Sequence, residues 1–383
     1  MKRGGLALGA GYFAFFATVG VFQPYWPAHL SALGFSAATI GVLLGLFNAV
    51  RVASPLVTAV FADRMTDRRP LMVALGFGML ASAALLLGVS SVVWMALALA
   101  LYGLGFNGLL PVYDAHALDW LGEGRHHYGR LRVWGSLGFV VASAVTGLWV
   151  QRSGTVVIPW ALLLGVLATA GVLLWMPVAR PHAHPKATLS FSAKELLAEP
   201  GLLRFLGICF LQMAGFGAYY GFYTLYLQSH GYQAAVIGAY WAFAVVAEMA
   251  MFLAGPWVLA RVSLQRLLQV AVFGSAVRWA VVALYPDHAT VMWCAQILHL
   301  AGFALFHSVS VLLAPTLLPS GFGVRAQALV SSVGWGAGGI VGSLMAGALW
   351  TWVGPSAVFV GAWVFAVLAF MLALKPLSRA ISA

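Results

Sequence analysis

Apolar residues along this chain come in runs of roughly 18 to 25, broken by short clusters of charged residues, Gly and Pro, and such runs can cross a hydrocarbon core of about 30 Å. Inside that core every backbone N–H and C=O must be paired within its own segment, which selects helices. The breaks predict twelve spans, near 6–28, 37–60, 71–90, 92–115, 132–150, 157–177, 203–227, 235–258, 267–285, 290–313, 327–350 and 355–375. Lys2 and Arg3 precede the first run as they would in a signal peptide, but no small-residue cleavage site follows, so that run reads as a retained span.

Composition agrees with the pattern. The 383 residues are 62% hydrophobic and 8% charged, against about 25% charged in soluble proteins. With a mean hydropathy of +0.95 this is an all-α, polytopic membrane protein. Both termini are expected in the cytoplasm, because that placement puts 17 of the 20 Lys and Arg residues on the inner side and only Arg152 outside. The pI of about 10.0 then reflects acidic lipid head groups as partners, and nucleic acid is not needed to explain it. Cys209 and Cys294 fall inside apolar runs and read as buried packing residues, with no disulfide or metal. There is no P-loop, zinc spacing or Gly-Ser nucleophile motif, so neither an enzyme nor a cofactor is expected.

The longest polar stretch, residues 179–201, separates a six-helix half at 1–178 from a second at 202–383. It reads as a cytoplasmic linker, and its His182 and His184 as linker residues. The halves repeat: GFSAATIG (34–41) matches GYQAAVIG (231–238) at an offset of 197. The same register pairs Arg64 with Arg261, Arg69 with Arg266, and Arg51 with Glu248. Two parallel repeats related by an axis along the membrane normal, with a site near the midplane, define the major facilitator architecture. The loop FADRMTDRR (61–69) resembles the signature loop of that superfamily. Asp63 and Asp67 facing Arg64, Arg68 and Arg69 are expected to form a cytoplasmic gate.

An ionisable residue in mid-helix costs about 2.5–3.5 kcal/mol and usually marks a solute or ion pathway. Here these are Arg51, Asp114, Arg132, Glu248, Arg278, His299 and His307. On a regular helix the two histidines lie about 80° apart, so both are expected to overlook one cavity. Structural ion pairing is the competing account of Arg51, Glu248 and Arg278, and packing that of His307. Gly135 and Gly138, and Gly334, Gly338 and Gly342 spaced by four, are expected to allow close helix packing.

The segment YDAHALDWLGEGRHHYGRLRVWGSLGF (113–139) resembles the fourth and fifth helices of the lactose permease. That resemblance makes Asp114 and Arg132 substrate-site residues, and aligns Glu248, Arg278 and His299 with its helix-eight, helix-nine and helix-ten charges. Gly302 stands where that permease carries a proton-coupling acid. A closer resemblance, through GLFNAVRVASP (45–55), PVYDAHAL (111–118), YGRLRVWGS (128–136), VVAEM (245–249) and QILHLAGFALFH (296–307), is to the 3-phenylpropionic acid transporter family. It implies proton-coupled uptake of an aromatic carboxylate across a bacterial inner membrane.

The residues suit such a solute. Arg51, Arg132 and Arg278 can each clamp a carboxylate. Tyr25, Trp26, Tyr219, Tyr220 and Tyr223 can wall an aromatic ring, or form an interfacial belt. Glu248 is the first candidate for the proton, then Asp114, with His299 and His307 as relays. The expected partners are a small-molecule substrate, a proton and membrane lipid, and the expected working unit is a monomer. Sugar or nucleoside symport, efflux, and a non-transporting sensor on the same fold remain as alternatives.

Overall fold

The computed structural model describes residues 3–62, 64–179, 200–318 and 323–377. Among them every regular element is helical. The first are α1 (Arg3–Ala32), α2 (Ala37–Ala62), α3 (Arg69–Leu86), α4 (Val92–Leu121), α5 (Tyr128–Ser153) and α6 (Val157–Leu173). There follow α7 (Pro200–Ser229), α8 (Ala234–Leu259), α9 (Leu264–Leu284) and α10 (Ala289–Ile297). A π turn (Leu300–Leu305) joins α10 to α11 (Phe306–Leu313), and a second (Ser331–Gly338) joins α12 (Gly323–Val330) to α13 (Gly339–Trp352). The last helix is α14 (Pro355–Ala373). Among the described residues, eleven helical segments are long and apolar enough to cross a membrane, with Ala289–Leu317 and Ala326–Trp352 each running through a π turn.

The sixth expected span is shorter than predicted, at the low end of the roughly 17–25 residues that cross a bilayer. α6 has 17 residues and stops at Leu173, where the backbone tightens into i→i+3 bonds from Leu174, Trp175 and Met176 ahead of Pro177. Pro has no N–H to continue a helix. Cys209 is buried as expected, but Cys294, on α10, is exposed.

The chain forms two compact units, Met1–His184 with Gly231–Ala242, and Pro185–His230 with Phe243–Ala383. In the first, α1 packs on α5 and α6, α2 on α4, and α3 on α4 and α6. In the second, α7 packs on α13, α14 and the second π turn, and α9 on α14 and the first π turn. The internal repeat is visible in the backbone. α2 and α8 both have 26 residues, and both ends are displaced by 197. Each is preceded by a turn through a glycine at positive φ, Gly34 at 85° and Gly231 at 80°. Only glycine enters that region without steric cost.

Glycines set the close crossings. A Cβ on Gly20 would lie 2.6 Å from Phe139 O, and one on Gly138 would collide with Phe13 O. In the second unit Gly338 and Gly342 do the same for α7, facing Phe210 O and Ala214 O. Gly138→Ala is therefore expected to lower stability by about 1–3 kcal/mol, the cost of overpacking. Gly78→Ala, where a Cβ meets nothing within 4 Å, should lower it not at all. Thermal unfolding of the two purified variants makes the comparison.

Candidate functional site

Each unit encloses a cluster of polar side chains among aromatic rings. In the second unit the cluster is a chain of contacts. Glu248 Oε1 on α8 lies 2.5 Å from His299 Nε2, and Arg278 Nη1 on α9 lies 2.6 Å from His299 Nδ1. Arg278 Nη2 donates to Gln296 Oε1 at 3.0 Å, and Gln296 Nε2 donates to Tyr223 OH at 2.6 Å. The rings of Tyr219 and Trp279 lie 4.4 and 4.5 Å from the Arg278 guanidinium carbon. Arg278 is 0% exposed, and no oxygen or nitrogen stands opposite its Nε. A guanidinium this deep needs a counter-charge. Glu248 supplies it through the imidazole of His299.

The two histidines do not share a cavity. His299 is buried in this relay and stacks on Phe303 at 5.4 Å with the planes 5° apart. His307 is exposed, beside a small recess lined also by Phe303, Ser310 and Trp335. The intervening π turn has i→i+5 bonds, so the α-helical angle between them does not apply. Tyr219 and Tyr223 are fully buried around Arg278, and Tyr220 is half-buried against Phe216 at 5.8 Å.

In the first unit Tyr12 OH on α1 donates to Asp114 Oδ1 on α4 at 2.6 Å, and Tyr128 on α5 hydrogen-bonds within the same group. Arg132, one turn after Tyr128, places its guanidinium carbon 3.9 Å from the Phe16 ring centre and 5.8 Å from that of Tyr12. Asp114 and Arg132 are near enough to interact electrostatically. Arg51 is half-buried on α2, at the position matching Glu248 on α8.

Tyr25 and Trp26 lie in the first unit, among neighbours on α1, α5 and α8. Tyr25 is fully buried, and its hydroxyl donates to Ser143 O at 2.7 Å beside Ala234 O at 3.5 Å, tying α1 to α5 and to the start of α8. Trp26 is fully buried against Phe22 at 5.7 Å and His29 at 5.0 Å.

The loop before α3 pairs differently from the expected gate. Asp67 accepts from the backbone N–H and guanidinium of Arg69, at 3.0 and 2.8 Å, at the start of α3. These bonds hold the Asp67 carboxyl below the usual carboxylate range, so the contact weakens only as pH falls through that lowered value. Arg68 instead forms a buried ion pair with Asp119 of α4. Arg64 is exposed, and Asp63 lies outside the described residues. His116 is buried with Nε2 3.0 Å from Pro177 O. Arg68→Ala is expected to cost about 3–5 kcal/mol, because a buried carboxylate loses its cation. Arg68→Met with Asp119→Leu should recover most of that in chemical denaturation.

Sequence reasoning missed Tyr12, Tyr128, Gln296 and Asp119. Tyr128 and Gln296 stood inside stretches quoted for family resemblance, and Gln296 lies one helical turn before His299. That spacing was the available signal.

The chain is similar in sequence and fold to known transporters. Residues 6–361 match the MFS_1 like family. The chain is 33% identical over 372 residues to a probable 3-phenylpropionic acid transporter of Escherichia coli (strain K12), covering 94% of both. It is 27% identical to the maltose permease of Geobacillus stearothermophilus, over 88% of this chain and 86% of that one. Its fold matches a crystal structure of the nucleoside transporter NupG with a TM-score of 0.82 and 17% identity, over 97% and 98% of the two chains. These relatives are membrane transporters and not enzymes. The chain belongs to the MFS_1 like family of major facilitator transporters.

Proposed function

We propose that this protein is a proton-coupled importer of a small organic anion, best an aromatic monocarboxylate, working by alternating access of two six-helix halves. The working unit is a monomer with both termini in the cytoplasm of a bacterial inner membrane. One observation carries the reading: the buried Arg278 guanidinium contacts His299 and Gln296, and its counter-charge Glu248 stands at the far end of His299.

A proton on Glu248 would remove that counter-charge and leave the cation uncompensated in a low-dielectric interior. A carboxylate with two acceptor oxygens restores neutrality and matches the guanidinium fork. The solute and the proton then arrive together because neither charge is tolerated alone. Asp114 and Arg132 are a second candidate solute contact, and Tyr219, Tyr220 and Tyr223 the candidate ring wall. The Escherichia coli relative is named a probable 3-phenylpropionic acid transporter, which supports this solute class.

The 27% identity to a maltose permease supports a second reading, neutral sugar symport. Proteoliposomes loaded at neutral pH and given an inward proton gradient separate the two. Gradient-dependent uptake of labelled 3-phenylpropionate and not of maltose is expected. Gradient-dependent uptake of maltose alone favours the sugar, and uptake of neither sinks symport of both.

A further inference from the structure

The relay geometry also constrains which group can hold the proton. A guanidinium has only N–H donors and stays charged. Arg278 Nη1 at 2.6 Å from His299 Nδ1 therefore requires a lone pair on that nitrogen. The ring hydrogen is then on Nε2, 2.5 Å from Glu248 Oε1, which accepts it. A second ring proton has no place while Arg278 stays bound.

Among the described residues, the elements packed around this ring offer it no other charged partner. α7 presents Phe216 and Tyr219, α8 Glu248 and α9 Arg278, and the π turn presents Phe303. On its own side of the π turn, Gln296 is occupied by Arg278 and Tyr223.

We infer that His299 is a neutral bridge, a positioning residue that holds Glu248 and Arg278 in register, and that it does not itself carry the transported proton. It supplies one acceptor towards Arg278 and one donor towards Glu248. A glutamine amide supplies the same pair, and leucine neither. The inference rests on the proposed entry of the proton at Glu248, but the state of the ring can be measured without transport.

Two measurements on full-length protein in lipid test it. In protein with isotope-labelled imidazole nitrogens, the His299 signals are assigned by their loss in His299→Gln and His299→Leu. They should keep one protonated and one bare nitrogen across about pH 5 to 8, the range in which histidine ordinarily titrates. In Arg278→Gln, which unlocks Nδ1, a doubly protonated ring should appear within that range. Gradient-driven uptake of 3-phenylpropionate should survive in His299→Gln with an unshifted pH profile and be lost in His299→Leu. A doubly protonated His299 in the native protein overturns the inference even if transport stands. So does loss of the pH dependence in a folded His299→Gln. A ring that stays neutral in a protein with no proton-driven uptake overturns the symport reading and leaves the bridge intact.

Discussion

Glu248→Gln is expected to abolish accumulation of solute above equilibrium while leaving exchange of labelled for unlabelled solute across the membrane. Glutamine keeps the shape of the side chain, and its carbonyl can still accept from His299 Nε2, so the relay stays assembled. It cannot take or release a proton. The loaded carrier, whose Arg278 charge is met by the solute, can still reorient in both directions. The empty carrier keeps an uncompensated cation and cannot return. Uptake against a gradient should fall to the leak level, measured as the steady-state ratio of inner to outer 3-phenylpropionate in proteoliposomes. Full accumulation in this variant would move the proton site, with Asp114 next in line through its bonds to Tyr12 and Tyr128.

The second large effect concerns Arg278 and separates a bridged ion pair from two unrelated charges. Arg278→Gln removes the cation that Glu248 balances, and breaking a buried pair in this way costs about 3–5 kcal/mol. It should also end uptake of the anionic solute, because no fork remains for the carboxylate at that position. Combining it with Glu248→Gln removes both charges, and the network should return about 1–3 kcal/mol of the summed single losses, the coupling expected of residues in one network. Thermal unfolding of the native protein, the two single variants and the double variant completes the cycle. Additive losses would mean that His299 transmits nothing between the two charges.

The sequence already located most of the charges that the fold encloses, because a charge inside a 20-residue apolar run is conspicuous. It also specified α2 and α8 as copies, down to the Gly34 and Gly231 turns that precede them. What it could not supply was which charge meets which. Arg68 and Asp119 are 51 residues apart, and Tyr12 and Asp114 are 102 apart. Such pairs are set by how α1, α3 and α4 pack, which no local period encodes. The proximity of Asp67 to Arg68 and Arg69 suggested a local cluster, whereas only Arg69 uses it.

The joint placement of His299 and His307 failed for a different reason. It assumed a uniform α-helix through QILHLAGFALFH, and the backbone turns through a π segment at Leu300–Leu305. Gly302 lies in that segment, its carbonyl accepting from Gln212 Nε2 at 2.8 Å, and a Cβ there would run into the Ser275 hydroxyl. The position that holds an acid in the resembling permease is thus filled here by Gln212 and Ser275, which leaves Glu248 as the carboxylate of the relay. Tyr25 and Trp26 show the limit of composition: an aromatic pair near a helix end reads equally as a solute wall or as packing, and both rings are fully buried here, as are Tyr219 and Tyr223.

The central claim is that a proton and an anion are bound as one neutral unit through Glu248 and Arg278. Its most direct test is the proton balance on binding, with purified protein in weakly buffered detergent near neutral pH and saturating 3-phenylpropionate. Uptake of about one proton per anion bound is expected in the native protein, and none in Glu248→Gln. Anion binding to the native protein with no change in bound protons would contradict the account.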